Sequence, residues 1–96
     1  MINTIGLALR ARKVTVGTEL TIDELRRGNV YLIILATDAS LNTKKKVIDK
    51  AKTYHCEVVL EYTSAEISNA LGKQDIKVIG ITDRGFSQLL MDQRRK

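Results

Sequence analysis

Apolar positions along the chain switch repeatedly between a helical and an extended period. Ile5, Leu7, Ala8 and Leu9 recur at helical spacing behind Asn3, which predicts a first helix capped by that asparagine and ending in the basic stretch Arg10, Arg12 and Lys13. Val14-Thr15-Val16 has β character and Gly17 interrupts it. Thr18 then stands where a cap is wanted. Leu20, Ile22 and Leu25 supply the inward face of a second helix that runs to about Arg27 and closes at Gly28. Val30 to Ala36 is nearly continuous in apolar residues, as in a strand covered on both faces.

A third helix is predicted from Asn42 or Thr43 to about Tyr54, with Val47, Ile48, Ala51 and Tyr54 as its core stripe. Glu57 to Tyr62 forms the next strand. Thr63, with Glu66 three residues on, has the form of a capping box opening a short helix, which Gly72 ends. Ile76 to Thr82 is the last strand. Thr82 or Asp83 caps a C-terminal helix containing Phe86, Leu89, Leu90 and Met91, and residues 92–96 are expected to fray. This alternation predicts one α/β domain over residues 1–96, a three-layer α/β/α sandwich around a mixed sheet of about four strands.

Composition narrows the class. A chain of 96 residues with 44% hydrophobic residues and no proline is globular and large enough for one core. The single cysteine, Cys56, excludes an intrachain disulfide and fits a reducing compartment. No apolar run approaches the roughly 20 residues that span a bilayer. No basic and apolar leader opens the chain, so a cytoplasmic monomer is expected, with no membrane contact. Lysine and arginine number 16 against 11 acids, a net charge of +5 that favours polyanion partners.

Catalytic and metal chemistry find little support. His55 and Cys56 are adjacent at a helix-to-strand junction, where neighbours point to opposite faces, so a shared metal is not expected and Cys56 reads as a packed small hydrophobe. There is no phosphate-loop or dinucleotide fingerprint. Asp38 and Asp83 each follow a strand, but the acidic pair that a phosphoacceptor site needs is missing, and both read as turn or cap residues. The chain is expected to be non-catalytic and to need no cofactor. Tyr31, Tyr54, Tyr62 and Phe86 do not make the paired stacking motif of a single-strand reader, so RNA binding would rest on shape, phosphates and a few base edges.

The positive signals are two. Lys44, Lys45, Lys46, Lys50 and Lys52 share the third helix with one acid, Asp49, forming either a solvated outer face or an anion-binding surface. Arg10, Arg12, Lys13, Arg26 and Arg27 form a second basic group around the second helix. Between its members, the Gly17-Thr18 step opens that helix, and free N–H groups at the positive end of a helix dipole suit a phosphate or a base acceptor.

The order of motifs "IGLALRARKV", "VGTEL", "ATDASLNTKKKVIDKAKTYH", "ALGK" and "VIGITDRGF" resembles the kink-turn-binding ribosomal protein family of L-seven-A-e type, in its bacterial YlxQ-type branch, over roughly residues 3 to 90. The resemblance implies a sandwich fold, no catalysis, association with structured RNA and ribonucleoprotein partners, and an RNA edge in three parts. One is the start of the second helix, Gly17, Thr18, Glu19, Leu20 and Thr21. Another is the loop Thr37, Asp38 and Ala39. The last is Gly72, Lys73, Gln74, Asp75, Ile76 and Lys77. Beside what the resemblance implies, the basic residues near this edge in sequence, Lys13, Arg26 and Arg27, are expected on phosphates. The first part would approach sheared G·A pairs through a major groove that the kink widens, and the last would pack on a flipped-out nucleotide. Glu19, Leu20 and Asp23 depart from the amide and cation side chains that strong binders carry there. A carboxylate cannot donate to guanine, and Leu20 cannot accept from an amino group. The alternative is therefore a protein-interaction module on a ribonucleoprotein.

Overall fold

In the computed structural model, which describes residues 2–94, the polarity pattern resolves into α1 (Ile2–Arg10), β1 (Val14–Val16), α2 (Thr18–Arg26), β2 (Leu32–Leu35), α3 (Leu41–Thr53), β3 (Glu57–Val59), α4 (Ser64–Leu71), β4 (Val78–Ile81) and α5 (Arg84–Arg94). The four strands form one mixed sheet in the order β1-β4-β2-β3. β4 runs antiparallel to both β1 and β2, and β2 runs parallel to β3. α2 and α3 cover one face, while α1 packs on α4 and α5 at the other. The expected three-layer arrangement with a mixed sheet is what the chain adopts.

The two central strands explain the apolar runs. Every residue of β2 and β4 is buried, because both faces of the sheet are covered there. Gly80 in β4 lets α2 sit close. A Cβ at this position would lie 2.6 Å from Thr15 Oγ1 and 2.9 Å from Thr21 Cγ2. The two threonine hydroxyls bond to each other at 2.8 Å beneath α2, fixing the helix to β1.

The starts of α1, α2 and α3 differ from the expectation by one or two residues. Asn3 lies inside α1, and Thr18 is the first residue of α2, with Gly17 as its cap. α3 begins at Leu41, and its cap is Ser40, whose hydroxyl accepts from the Thr43 amide. Leu20 faces solvent at 52% exposure, and Tyr54 is exposed at the end of α3. The capping box of Thr63 and Glu66 is present, and Gly72 closes α4 in the left-handed conformation. α2 and α4 thus close on Gly28 and Gly72, whereas the corresponding turns after α1 and α3 put Arg12 (φ 60°) and His55 (φ 56°) in the left-handed region. Of the tail expected to fray, residues 92–94 are the last turn of α5, and residues 95 and 96 lie outside the described residues.

Candidate nucleic-acid interface

The sheet topology sorts the loops into two ends. β1, β2 and β3 all finish at one end, where α2, α3 and α4 begin and β4 starts. This end is the rim. Backbone hydrogen bonds stitch it together: the Gly17 amide donates to Val78 O at 2.9 Å, the Ala36 amide to Lys77 O at 2.8 Å, and the Thr37 amide to Tyr62 O at 2.9 Å. The three segments expected to make an RNA edge therefore meet on one surface.

Three helix N-termini converge at the rim, and they are not equivalent. α3 is capped by Ser40, and α4 by Thr63. Asp38 adds to the α4 start: its carboxylate accepts from the Ser64 amide and from Ser64 Oγ, both at 2.7 Å. Those two bonds, with Lys77 nearby, hold the Asp38 carboxyl below the usual carboxylate range. Asp38 is thus a structural clasp between β2 and α4. α2 has no side-chain cap, so the N–H groups of its first turn lack a side-chain acceptor. Its cap, Gly17, has φ 101° and ψ 157°, with nothing within 4 Å of the missing Cβ. That conformation belongs essentially to glycine, and it leaves the α2 mouth open to an approaching group.

The charge at the rim comes from Lys73 and Lys77, which the expected edge includes, and from Lys46, which it does not. Lys46 of α3 forms an ion pair with Glu19, and this contact holds the Glu19 carboxyl below its ordinary value. Lys77 pairs with Asp75 at 3.0 Å, which raises its ammonium above the ordinary value. Lys73 and Gln74 are exposed and border an open groove of about 400 Å³ that Ser64, Ser68 and Asn69 of α4 complete. Ser68 Oγ accepts from the Ile76 amide at 2.8 Å and so sets the course of this segment back to the rim.

Four of the expected contacts sit elsewhere. Thr21 is fully buried and its hydroxyl is spent on Thr15, so its side chain belongs to the core. Lys13 precedes β1 and accepts from the Thr82 amide through its backbone oxygen at 2.8 Å, at the opposite end of the sheet. Arg26 and Arg27 close α2, and eight residues at about 1.5 Å each put Arg26 roughly 12 Å along the helix from Thr18. They pair with Asp23 at 4.0 Å and with Glu24 at 3.2 Å. Neighbours of Gly17 in sequence are thus carried away from it by a strand and a helix. Lys46, 27 residues from its partner, was not singled out, and only the lysine run 44–46 hinted at it.

Other chemistry is sparse. Among the described residues no group of three or more His, Cys, Asp or Glu is placed to hold a metal ion, and no helix is long and apolar enough to cross a membrane. Burial, with Glu57 close by, pushes the Cys56 thiol up to about 11, far from a reactive thiolate. Asp83 accepts from the Phe86 amide at 2.9 Å and caps α5.

A family model described as the ribosomal protein L7Ae/L30e/S12e/Gadd45 family matches residues 1–91. The chain is 45% identical over 86 residues to an RNA-binding protein YlxQ of Enterococcus faecium, covering 90% of this chain and 82% of the relative. It is 40% identical over 87 residues to the RNA-binding protein YlxQ of Bacillus subtilis, covering 91% and 87%. A solved 15.5kD RNA binding protein of Giardia lamblia superposes with a TM-score of 0.83 over 95% of this chain and 78% of the other at 14% identity, a likeness of fold.

Proposed function

The chain belongs to the ribosomal protein L7Ae/L30e/S12e/Gadd45 family, and on that premise we propose that it binds structured, kink-turn-like RNA through its rim, without catalysis and without a cofactor. The observation that carries this reading is the uncapped mouth of α2 at Gly17, set beside the 37–38 loop and the 73–77 segment. First-turn amides of Thr18, Glu19 and Leu20 give donors of fixed direction at the positive end of a helix. Gln74 and Lys73 offer an amide and a cation across the neighbouring groove. Two relatives named as RNA-binding proteins support the same reading. The site acts in the cytoplasm on a ribosome or another ribonucleoprotein, as a monomer.

Shape selects the RNA here more than base edges do. Leu20 is exposed and has no hydrogen-bonding group, and Glu19 is occupied by Lys46. Base-specific side-chain contacts are therefore few, and backbone amides do the positioning. Titrating a kink-turn hairpin and an unbent duplex of equal length tests this. Tighter binding of the kinked RNA at moderate salt is the expected outcome, and equal affinity contradicts it.

The exposed Leu20 between two carboxylates, Glu19 and Asp23, favours a second reading, a protein-docking rim on a ribonucleoprotein. Leu20→Lys with Asp23→Lys separates the two. RNA affinity rises if the rim faces RNA, and stays flat if it faces protein.

A further inference from the structure

The end of the sheet opposite the rim carries a different set of groups, and the rim reading leaves it unused. Lys13 stands before β1, Thr82 and Arg84 follow β4, and Tyr31 precedes β2. The Thr82 amide donates to Lys13 O and the Tyr31 amide to Ile81 O, both at 2.8 Å, so these residues form one row across the sheet end. α1 delivers Arg10 and Arg12 to this pole, and α2 delivers Arg26 and Arg27. All six cations are exposed. The nearby carboxylates are Asp23 and Glu24, which pair with Arg26 and Arg27, Asp83, which caps α5, and the exposed Glu57, which opens β3 opposite Leu32. Among the described residues Arg10, Arg12, Lys13 and Arg84 have no carboxylate within 4.0 Å.

Helix stability accounts for part of this pattern, since cations suit helix C-termini. It does not account for Arg84 or Arg12. Arg84 is the first residue of α5, the helix end that disfavours a cation. Its guanidinium lies 5.2 Å from the centroid of the Tyr31 ring, which is itself 38% exposed. Arg12 occupies the left-handed position that closes α1, with the Lys13 amide donating back to Ala8 O at 2.9 Å. Glycine is the residue this turn favours; the same turn has it after α2 and α4 and has His55 after α3. The third observation is an orphan. Ser87 Oγ is buried without a hydrogen-bond partner, in a residue only 8% exposed. Ser87 lines a surface depression of about 250 Å³ with Tyr31, Arg84, Gln88 and Met91.

We propose that this pole is a second RNA site, one that takes an unpaired ribonucleotide stretch. Arginine forks and Lys13 hold its phosphates, and one nucleotide settles in the depression beside Tyr31, where rotation about the Ser87 side-chain bond turns the buried hydroxyl out to a polar atom of the nucleotide. Arginine matches phosphate bidentately, which suits it to this end, whereas the rim uses lysine. An aromatic face beside a guanidinium suits a base or ribose of an unpaired strand better than a carboxylate-bearing protein surface. Occupying the depression gives the Ser87 hydroxyl the partner it lacks. One chain then holds a folded RNA element at the rim and a single strand at the pole.

The test uses a labelled 12-mer of oligoadenylate, with an oligoglutamate of the same length as the charge control. The free protein should bind the RNA in a salt-dependent way, with a slope of roughly 0.7 per phosphate contacted. It should bind oligoglutamate at least tenfold more weakly. Protein saturated with a kink-turn hairpin should bind the 12-mer equally well. Arg12→Gly and Ser87→Ala should each weaken oligoadenylate binding threefold or more while leaving thermal stability unchanged or raised, because one relieves a left-handed arginine and the other removes an unpaired buried hydroxyl. Arg84→Gln should act with Arg12→Gly to give a loss of tenfold or more. Displacement of the 12-mer by the hairpin, equal binding of oligoglutamate, or full affinity in the double variant would each overturn the second site. Because the 12-mer is also titrated on free protein, absence of hairpin binding would remove the rim reading alone.

Discussion

The two ends of the sheet are both basic, yet they are built on opposite plans. At the rim two of the lysines are tied down, Lys46 to Glu19 and Lys77 to Asp75, while Lys73 is exposed beside the groove. Polar groups there are largely satisfied by the chain itself, through Ser40, Thr63 and the Asp38–Ser64 clasp, and what remains open, besides Lys73 and Gln74, is backbone at the Gly17 mouth. At the pole the backbone is closed by the ends of α1 and α2 and by the Asp83-capped start of α5, and the open groups are side chains: Arg12, Lys13 and Arg84. A rigid backbone donor reads shape, because its position is fixed by the fold. Flexible cations read charge and lose affinity with salt. Net charge alone does not separate such surfaces.

The strongest way to break the comparison is to unseat α2, whose two ends contribute to both surfaces. Gly80→Ala pushes a methyl to within 3.0 Å of Thr15 and Thr21, two short branched side chains that cannot swing away. A loss of about 2 kcal/mol in stability is expected from overpacking, checked by urea denaturation. Gly17→Ala separates the ends. The new side chain has space but is strained at φ 101°, at a cost of about 1–3 kcal/mol. Kink-turn affinity should fall tenfold or more while oligoadenylate binding at the pole changes less than twofold, both read by fluorescence anisotropy. A smaller effect sharpens the rim. Leu20→Lys with Asp23→Lys should raise kink-turn affinity several-fold, with a steeper salt dependence.

The smallest effect is local and set by pH. The Asp38 carboxyl is held below its ordinary value in the folded chain by Ser64 and then by Lys77. Its contribution to stability is therefore complete above the ordinary carboxylate range and is lost as pH falls through the lowered folded value. On acidification the Ser64 amide should lose protection from hydrogen exchange before the amides of β2 and β4 do. Retained protection below that range would remove the clasp.

Local chemistry was the legible part of the sequence. Thr63, Glu66 and Gly72 announced α4 because caps act within a few residues, and the run Val30–Ala36 announced a doubly covered strand. Thr18, and Asn42 or Thr43, look like helix boundaries in the sequence, but backbone angles, not side-chain type, decide which residue is the cap; Gly17 and Ser40 hold those places. The strand order β1-β4-β2-β3 rests on pairings distant in sequence and leaves no local mark. The same reason governs the site. Gly17, the 37–38 loop and the 73–77 segment came from the family resemblance. Lys13, Arg26 and Arg27 were grouped with them by proximity in sequence, although one short strand and nine residues of helix lead to the far pole. Thr21 could have been assigned to the core from its helical spacing with Ile22 and Leu25.

Amide chemical shifts followed while one equivalent of a short-stemmed kink-turn hairpin is added test the open-mouth interface most directly. Saturable changes should gather at Thr18, Glu19 and Leu20, at Thr37 and Asp38, and at Lys73 to Lys77, with Lys13, Arg26 and Arg84 unmoved. Changes centred on Lys13 and Arg84, with the Thr18 to Leu20 amides silent, would contradict it.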